Sequence, residues 1–423
     1  MSRLSEGNVI VIGAGPAGMM AAVKAAENGS RVLLLEKMKL PGRKMRITGK
    51  GRCNVTNAAD VTEIIKNIKG NGVFLNSSLR NFDNRDVMEF FTEQGVPLKV
   101  ERGQRVFPVS DKAQDVVDAM VRRLHELDVS IMTETAVQDI LLAGTGDERH
   151  VVGVRTRQGD IHRGNAVILA VGGASYPGTG STGDGYDMAA AVGHTVTRIT
   201  PALVPLETEE DWVREVQGLS LRNVKATLLA DGEEYASEFG EMLFTHYGVS
   251  GPIILSLSRE AAMLLADNHF VELSLDLKPA LTQDKLDARV QRDLQKYQRK
   301  TMHNALVDLL PHKLIAVVLD AAYIDPDEPV HQLTAEARAR LVQTLKGLML
   351  TVTRTRPIAE AIVTAGGVSV KEIKPKTMES KLVHGLYFAG EVVDVDGYTG
   401  GYNLQAAFSM GAAAGQWAAW NMG

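Results

Sequence analysis

The sequence predicts an α/β protein. Its main domain is a parallel-sheet, Rossmann-like domain, split in sequence by a β-rich insertion that carries a helical subdomain. Three observations predict this. An apolar run at residues 8–12 passes at once into Gly13-Ala14-Gly15-Pro16-Ala17-Gly18, then a helical run, then a second apolar run at residues 31–35. Near residue 200 the long strand–helix units give way to short alternating strands and polar turns, and the first style resumes at residues 361–364. From residue 385 the C-terminus adds a short strand, a glycine-rich loop and an alanine-rich helix. The 423 residues leave room for two or three domains at roughly 150 residues each. The expected division is residues 1–197 with 350–423 as one discontinuous domain, and residues 198–349 as the insertion, with its helical subdomain at about residues 280–346.

Composition removes several classes of function. With 45% hydrophobic and 23% charged residues, the chain can bury a sizeable core and is not disordered. A net charge of −5 argues against nucleic acid as a partner, because general binders usually carry a strongly basic domain. The single cysteine, Cys53, excludes an intramolecular disulfide, a CxxC redox pair and a multi-cysteine metal cluster, and no metal site is expected. It fits a reducing, cytoplasmic setting. Residues 1–8 are polar, without a leader pattern. The most apolar stretch, residues 406–420, is broken by Ser409, Gly411, Gly415 and Gln416 and reads as a buried helix, not as one of the ~20-residue spans a bilayer needs. Forty glycines, many clustered, favour an enzyme that holds a large cofactor.

The first unit is a strand, a G-x-G-x-x-G turn, a helix over residues 19–27 and a strand ending at Glu36, 18 residues beyond Gly18. Each residue type answers a need of dinucleotide chemistry. Gly13 and Gly15 let the backbone turn tightly and approach a pyrophosphate, and Gly18 lets helix and strand pack closely. Pro16 and Ala17 start the helix whose N–H groups face the anion, and Glu36 accepts bonds from ribose hydroxyls. A carboxylate repels a 2′-phosphate, so FAD or NAD is expected here and not NADP.

Residues 37–52 carry seven basic side chains and no acid: Lys37, Lys39, Arg43, Lys44, Arg46, Lys50 and Arg52. Gly42, Gly49 and Gly51 are interleaved, and Thr48, Cys53 and Asn54 complete the stretch. A solvated charged face or a weak nucleic-acid patch is one reading. A loop folded back over the pyrophosphate explains both the cations and the glycines, and favours FAD. Cys53 reads as a small buried thiol in preference to a nucleophile.

Residues 78–94 and 111–127 then read as amphipathic helices. Short strands follow at residues 131–133, 136–142, 151–157 and 166–170. A small β-meander before the next sheet strand is familiar in FAD-binding domains, and Val137 is where the backbone would meet the adenine. The series ends in Ala170-Val171-Gly172-Gly173. A turn then leads to a helix at residues 186–192, for which Asp184 is a natural N-cap. No second strand–GxGxxG–helix frame is present, so any NAD(P)H would dock only transiently.

At the C-terminus, a strand over residues 385–389 ends in Gly390-Glu391. Four glycines fall within residues 390–401, and a helix begins at Asn403-Leu404 after Gly401. Glu391 can hold a ribityl or ribose hydroxyl. The helix start can direct N–H groups at the flavin N1–C2=O edge, where partial positive charge stabilises an anionic reduced flavin.

Within the insertion, residues 226–229 and 271–275 read as strands, and residues 283–299 and 334–345 as charged helices. His246 is the leading acid–base candidate because imidazole titrates near neutrality; a structural role in the turn of residues 245–251 is the competing reading. Ser250 would cap the helix that Gly251-Pro252 begins. Tyr247, Arg356, Tyr398 and Tyr402 are further candidates for contacting substrate.

Three long motifs resemble one family. Gly42-Arg43-Lys44 with residues 48–57 (Thr-Gly-Lys-Gly-Arg-Cys-Asn-Val-Thr-Asn) is similar to the GRK and SGGGRCNxTN signature of the BaiN/YhiN-type FAD-dependent oxidoreductases, which include aminoacetone oxidases. Residues 244–252 match the FTHxGxSGP motif of that family, and residues 389–406 its C-terminal flavin motif. Thr48 and Lys50 depart from the usual serine and glycine, and Lys50 adds a cation. Residues 170–173 and 182–185 more distantly resemble the fumarate reductase and succinate dehydrogenase class. The resemblance implies a flavoprotein of the two-dinucleotide-binding-domain type, with FAD held by the N- and C-terminal parts and the insertion over the flavin. The implied activity is hydride or electron transfer between FAD and a small organic substrate, an amine or an unsaturated compound, as an oxidase or an NAD(P)H-dependent reductase. A non-catalytic flavin redox sensor and an RNA-associated or RNA-modifying flavoprotein remain as alternatives.

Overall fold

The computed structural model describes residues 8–421. The polar N-terminal stretch read as lacking a leader lies, up to residue 7, outside the described residues. The chain divides into two compact units, one running to Thr200 and resuming at Ile362, the other Pro201–Ala361.

The first unit is built on a five-stranded parallel sheet. β1 (Asn8–Ile12) lies at its centre, flanked by β2 (Arg31–Leu35) and by Ala166–Leu169; Ser130–Met132 and Leu386–Phe388 form the edges. β1 pairs Val9 with Ala166 and Asn8 with Arg31. A central parallel strand is covered on both faces, which is why Val9, Ile10 and Val11 are wholly buried and the run shows no alternation. The expected strand near residue 131 is therefore an edge of this sheet and not part of the antiparallel series. That series is three strands, Val137–Ala143, His150–Thr156 and Ile161–Arg163.

One face of the sheet carries α1 (Pro16–Glu27) and the C-terminal helix Tyr402–Trp420. These two helices meet at unusually close range. A Cβ on Gly411 would lie 2.3 Å from the Ala17 carbonyl oxygen, and one on Gly415 would lie 2.1 Å from that of Ala21. The glycines that break the apolar run at residues 406–420 are thus the contact surface of a buried helix. Among the described residues no helix is long and apolar enough to cross a membrane.

The single helix expected over residues 78–94 is two, Asn76–Asn81 and Asn84–Glu93. Asp83 causes the break. Its carboxylate accepts the Arg85 and Asp86 N–H groups at 2.7 and 3.1 Å, while Asp86 accepts the Asp83 N–H at 2.7 Å. This reciprocal capping box starts a new helix.

The second unit is a closed six-stranded antiparallel barrel. In order around it stand Leu206–Thr208, Gly248–Ser250, Glu233–Thr245, Ser220–Ala230, Val271–Asp276 and Leu348–Thr355. The helix Pro252–Ala266 packs Ile253, Ile254 and Leu257 into the core with Leu228, Phe244, Leu273 and Leu350. Helices Gln283–Lys296, Met302–Ala305, His312–Ala321 and Ala335–Lys346 complete the unit. The expected limit at residue 349/350 falls inside a barrel strand. Leu348–Thr355 pairs with both Val271–Asp276 and Leu206–Thr208, so the unit runs on to Ala361.

Candidate functional site

The turn between β1 and α1 is closely packed on one side and open on the other. Gly18 packs so tightly that a Cβ there would sit 1.8 Å from the Gly13 carbonyl oxygen, and a Cβ on Gly13 (φ +100°) would lie 2.5 Å from that of Ala170. Gly15 differs: a Cβ there would meet nothing within 4 Å. The open side of the turn is therefore at Gly15. Gly15 is also the N-cap of α1, with no side chain capping the first turn and proline directly after it. Uncapped first-turn N–H groups beside open space suit a pyrophosphate. At the end of β2, Glu36 reaches across this turn, accepting the Ala14 N–H at 2.7 Å and the Met38 N–H at 2.8 Å. Each oxygen keeps a lone pair for a ribose hydroxyl.

The basic loop folds back onto the same turn, the Gly42 N–H donating to the Ala14 carbonyl at 2.8 Å. Six of its seven cations, all but Arg46, divide into two groups. Lys37 donates to Thr182 and Asp184 at 2.6 and 2.8 Å; Lys44 donates to Ser175 and Glu391 at 2.7 Å each. Arg52 donates to Asp111 at 2.7 Å, also pairs with Glu101, and lies 4.1 Å over the Phe107 ring. Lys39, Arg43 and Lys50 instead stand exposed, with no ion-pair partner among the described residues. Asp184 is not the N-cap expected of it. Gly183 takes that position in a left-handed conformation, and the Asp184 carboxylate turns to Lys37.

At the end of the loop, Thr48 donates to the Met45 carbonyl at 2.7 Å. Cys53 is wholly buried, and burial pushes its thiol up to about 12 against a weaker hydrogen bond from Thr48. A thiol held there is protonated at neutral pH, which argues against a nucleophilic role. Next to it, among the described residues the buried Asn54 Oδ1 has no hydrogen-bond donor and the buried Arg46 Nε has no acceptor. An unpaired acceptor and an unpaired donor on one loop are what a bound group with its own N–H and oxygen atoms would complete. Together with the open side at Gly15, they make this region fit FAD.

Glu391 is the hub of the C-terminal part. Besides Lys44 it accepts from Ser175 Oγ at 3.0 Å and from the Thr364 N–H at 2.7 Å, and Thr364 Oγ1 in turn accepts the Ala174 and Ser175 N–H groups. Gly173 lies against this pair, its missing Cβ 2.4 Å from Thr364 Oγ1, and Gly172 (φ +77°) lies against Ser181. Gly390 lies beside Ala17. Burial alone would raise the Glu391 carboxyl, but Lys44, the Thr364 N–H and Ser175 hold it below the usual carboxylate range. A depressed folded-state value contributes stability that is present at neutral pH and lost as pH falls through it. The apoprotein should therefore lose melting temperature on acidification below the ordinary glutamate value of 4.5. Glu391→Gln should be less stable at pH 7 and show a flatter acid limb; an acid limb identical to wild type would contradict the assignment.

The Asn403 side chain is engaged within its own loop. Its amide closes the preceding loop through Gly397 N–H, Gly397 carbonyl and Tyr398 carbonyl at 2.8, 2.8 and 3.2 Å. Gly401 (φ +98°) is the N-cap of the last helix and Leu404 is half-buried in its first turn. Tyr398 lies 4.6 Å beneath Lys69, and the Tyr402 phenol is raised by burial and then by Glu63. Val137 opens the meander and is 5% exposed. Ser175, Thr364 and the buried pair Thr56–Gln405 (2.6 Å) were missed by sequence reasoning. Ser175, Thr56 and Gln405 lie beside or inside a motif, which was the available signal; Thr364 carried none.

In the second unit, His246 and Tyr247 form a two-residue turn between Thr245 and Gly248, which pair with each other. Arg356 stacks 4.6 Å over the Tyr247 ring, and the exposed His246 ring stands edge-on to the same ring at 4.8 Å. Glu360, at 2.6 and 3.0 Å, and Glu207, at 2.8 Å, hold the guanidinium and raise its value further, so it stays charged. Glu207, buried, also takes Arg354 at 2.7 Å. Three sequence candidates, His246, Tyr247 and Arg356, are thus adjacent. Ser250 does not cap the following helix: Gly251 is its N-cap, with no side-chain cap bond. Among the described residues no group of three or more His, Cys, Asp or Glu side chains could hold a metal ion.

Comparison with known proteins agrees with this architecture. Residues 7–417 match the family model described as the HI0933-like protein Rossmann domain. The chain is 32% identical over 411 residues to the 3-dehydro-bile acid delta(4,6)-reductase of Clostridium scindens, covering 97% of this chain and 98% of the relative. It is 31% identical over 402 residues to the ribosomal RNA dihydrouridine synthase of Escherichia coli, covering 95% of each. In fold it is similar to the 3-ketosteroid delta1-dehydrogenase of Sterolibacterium denitrificans, with a TM-score of 0.54 at 14% identity over 98% of this chain and 99% of the other. The chain belongs to the HI0933-like family, the BaiN/YhiN-type FAD-dependent flavoprotein oxidoreductases.

Proposed function

We propose that this protein is an FAD-dependent reductase that saturates a carbon–carbon double bond polarised by a neighbouring carbonyl. The observation that carries the reading is one chemistry shared by two full-length relatives. A delta(4,6)-reductase acting on a 3-dehydro-bile acid and a synthase of dihydrouridine both add two hydrogens across such a bond. Of the two substrate types the sequence left open, this favours the unsaturated compound over the amine.

The bound FAD supplies hydride transfer. The chain's own residues do the rest. Gly13, Gly15 and Gly18 with the α1 N-terminus hold the pyrophosphate, Glu36 the adenosine ribose, and Asn54 and Arg46 offer the unpaired acceptor and donor of the basic loop. Lys44, fixed by Glu391, keeps a cation beside the loop. Arg356 provides a permanent positive charge toward an enolate-like oxygen, and the exposed His246 delivers the proton. Reducing equivalents come from NAD(P)H docking transiently, since the described residues contain one Rossmann unit with a dinucleotide motif. The lone buried Cys53 supports a cytoplasmic setting.

A second reading concerns substrate size only: the reduced bond lies in a uridine of ribosomal RNA. The exposed Lys39, Arg43 and Lys50 favour it, since cations without acidic partners are available to phosphates. The experiment incubates FAD-loaded protein and NADH or NADPH with a 3-oxo-4,6-diene steroid, with ribosomal RNA, and with a primary-amine panel. A gain of two hydrogens in the steroid or in a uridine is expected. Oxygen-dependent deamination of an amine with no reduction of either alkene would overturn the proposal.

A further inference from the structure

The helix Gln283–Lys296 carries a cationic stripe that the flavin site does not use. Lys285, Arg289, Arg292 and Lys296 recur at spacings of four, three and four, which puts them on one face of the helix. The buried side is elsewhere: Leu286, Val290, Asp293 and Leu294 face the core. Asp284 stands about 100° off the stripe. Two of the four cations are matched, Arg289 by Asp293 at 2.8 Å and Lys296 by Asp308 at 2.7 Å. Lys285 and Arg292 are exposed, with no ion-pair partner among the described residues. A groove of about 600 Å³ runs along this face, lined by Lys285, Arg289 and Arg292 and by the amides of Gln291 and Gln295. Lys278 adds a fifth cation. It is half-buried, and burial, then the Arg289 charge, lowers its ammonium against the opposing Asp293.

A solvated helix face would need neither the groove nor the half-buried ammonium. From Lys285 to Lys296 the stripe spans about 16 Å at 1.5 Å per residue, too long for one phosphate and suited to a phosphodiester chain. The acids of the same helix lie off the stripe: Asp287 pairs with Arg338 and Asp293 with Arg289.

We propose that the Lys285–Arg289–Arg292 face of helix Gln283–Lys296 is a docking surface for the RNA sugar–phosphate backbone, with Gln295 donating to phosphate oxygens; the Gln291 amide is taken by Asp287 at 2.6 Å. The inference rests on the RNA-borne reading of the substrate. The test measures binding of a fluorescein-labelled uridine 20-mer RNA to the FAD-loaded full chain by anisotropy across a salt series. Wild type should bind with a steep salt dependence. K285E/R292E should bind at least 10-fold more weakly at about 0.15 M salt, and the log–log salt slope should fall by about 1.4, at roughly 0.7 per lost phosphate contact on a single strand. K285Q/R292Q, which removes the charges without reversing them, should lie between. Flavin content and melting temperature should not move, because both side chains are exposed. Wild-type binding with an unchanged slope in both variants would overturn the docking face and leave the RNA reading standing. No binding by wild type would overturn both.

Discussion

Gly15→Ala should yield a protein that folds as well as wild type and does not retain FAD. The backbone at Gly15 is extended (φ −79°, ψ −175°), and a Cβ there meets nothing within 4 Å, so neither strain nor a clash opposes the methyl group. Alanine is a poorer N-cap than glycine, at a cost of no more than about 1 kcal/mol. The methyl does occupy the open side of the turn, where the backbone must approach the pyrophosphate, so FAD affinity should fall by at least about 100-fold, equivalent to about 2.7 kcal/mol. Gly18→Ala provides the contrast. Its Cβ would sit 1.8 Å from the Gly13 carbonyl oxygen, so helix and strand must separate. Overpacking of that kind costs roughly 1–3 kcal/mol, and this variant should lose melting temperature as well as flavin. Isothermal titration of FAD into the two apoproteins, with thermal melts, checks both. Equal FAD affinity in Gly15→Ala and wild type would remove this turn from the cofactor site.

His246→Ala should keep its FAD and its fold and lose turnover. The imidazole is exposed at a two-residue turn, and its one described contact is the Tyr247 ring, so its removal leaves no buried group unpaired. Loss of a positioned acid–base group slows the chemical step about 10²–10⁴-fold. Stopped-flow reoxidation of the pre-reduced variant by the alkene substrate measures that step directly. A variant that unfolds or releases FAD would make His246 structural. Normal turnover would move proton delivery elsewhere, with Tyr247 and the Arg356 it stacks on the next residues to replace.

What was legible in the sequence was local. The β1–α1–β2 unit could be read because a buried parallel strand, a glycine turn and an acid at a set spacing each leave a contiguous signature, and Gly13, Gly18 and Glu36 lie where that signature puts them. The barrel's strands were legible in kind, through alternation, but not in length, since pairing across the barrel decides where a strand stops. Long-range partners were not legible at all. Lys37 and Asp184 are 147 positions apart, and Lys44 and Glu391 are 347 apart. Nothing in either local sequence says that a basic loop will settle its charge on those acids. The same holds for caps. Asp184 and Ser250 have suitable side chains, yet the residue before α-helical backbone begins is Gly183 in one case and Gly251 in the other, each with positive φ. Backbone conformation, not side-chain suitability, decided both. The adjacency of His246, Tyr247 and Arg356 could be anticipated only for the first two, which are neighbours in the chain.

The measurement that bears most directly on the central claim is anaerobic single-turnover reoxidation of the reduced protein. FAD-loaded protein is reduced to completion without oxygen and mixed with a 3-oxo-4,6-diene steroid, with its fully saturated analogue, or with uridine-containing ribosomal RNA, while the oxidised-flavin absorbance is followed. The account predicts return of the oxidised spectrum with at least one of the two unsaturated substrates, one equivalent of alkene reduced per flavin, and no return with the saturated analogue. A flavin that stays reduced with every conjugated alkene and is reoxidised by oxygen alone would contradict it.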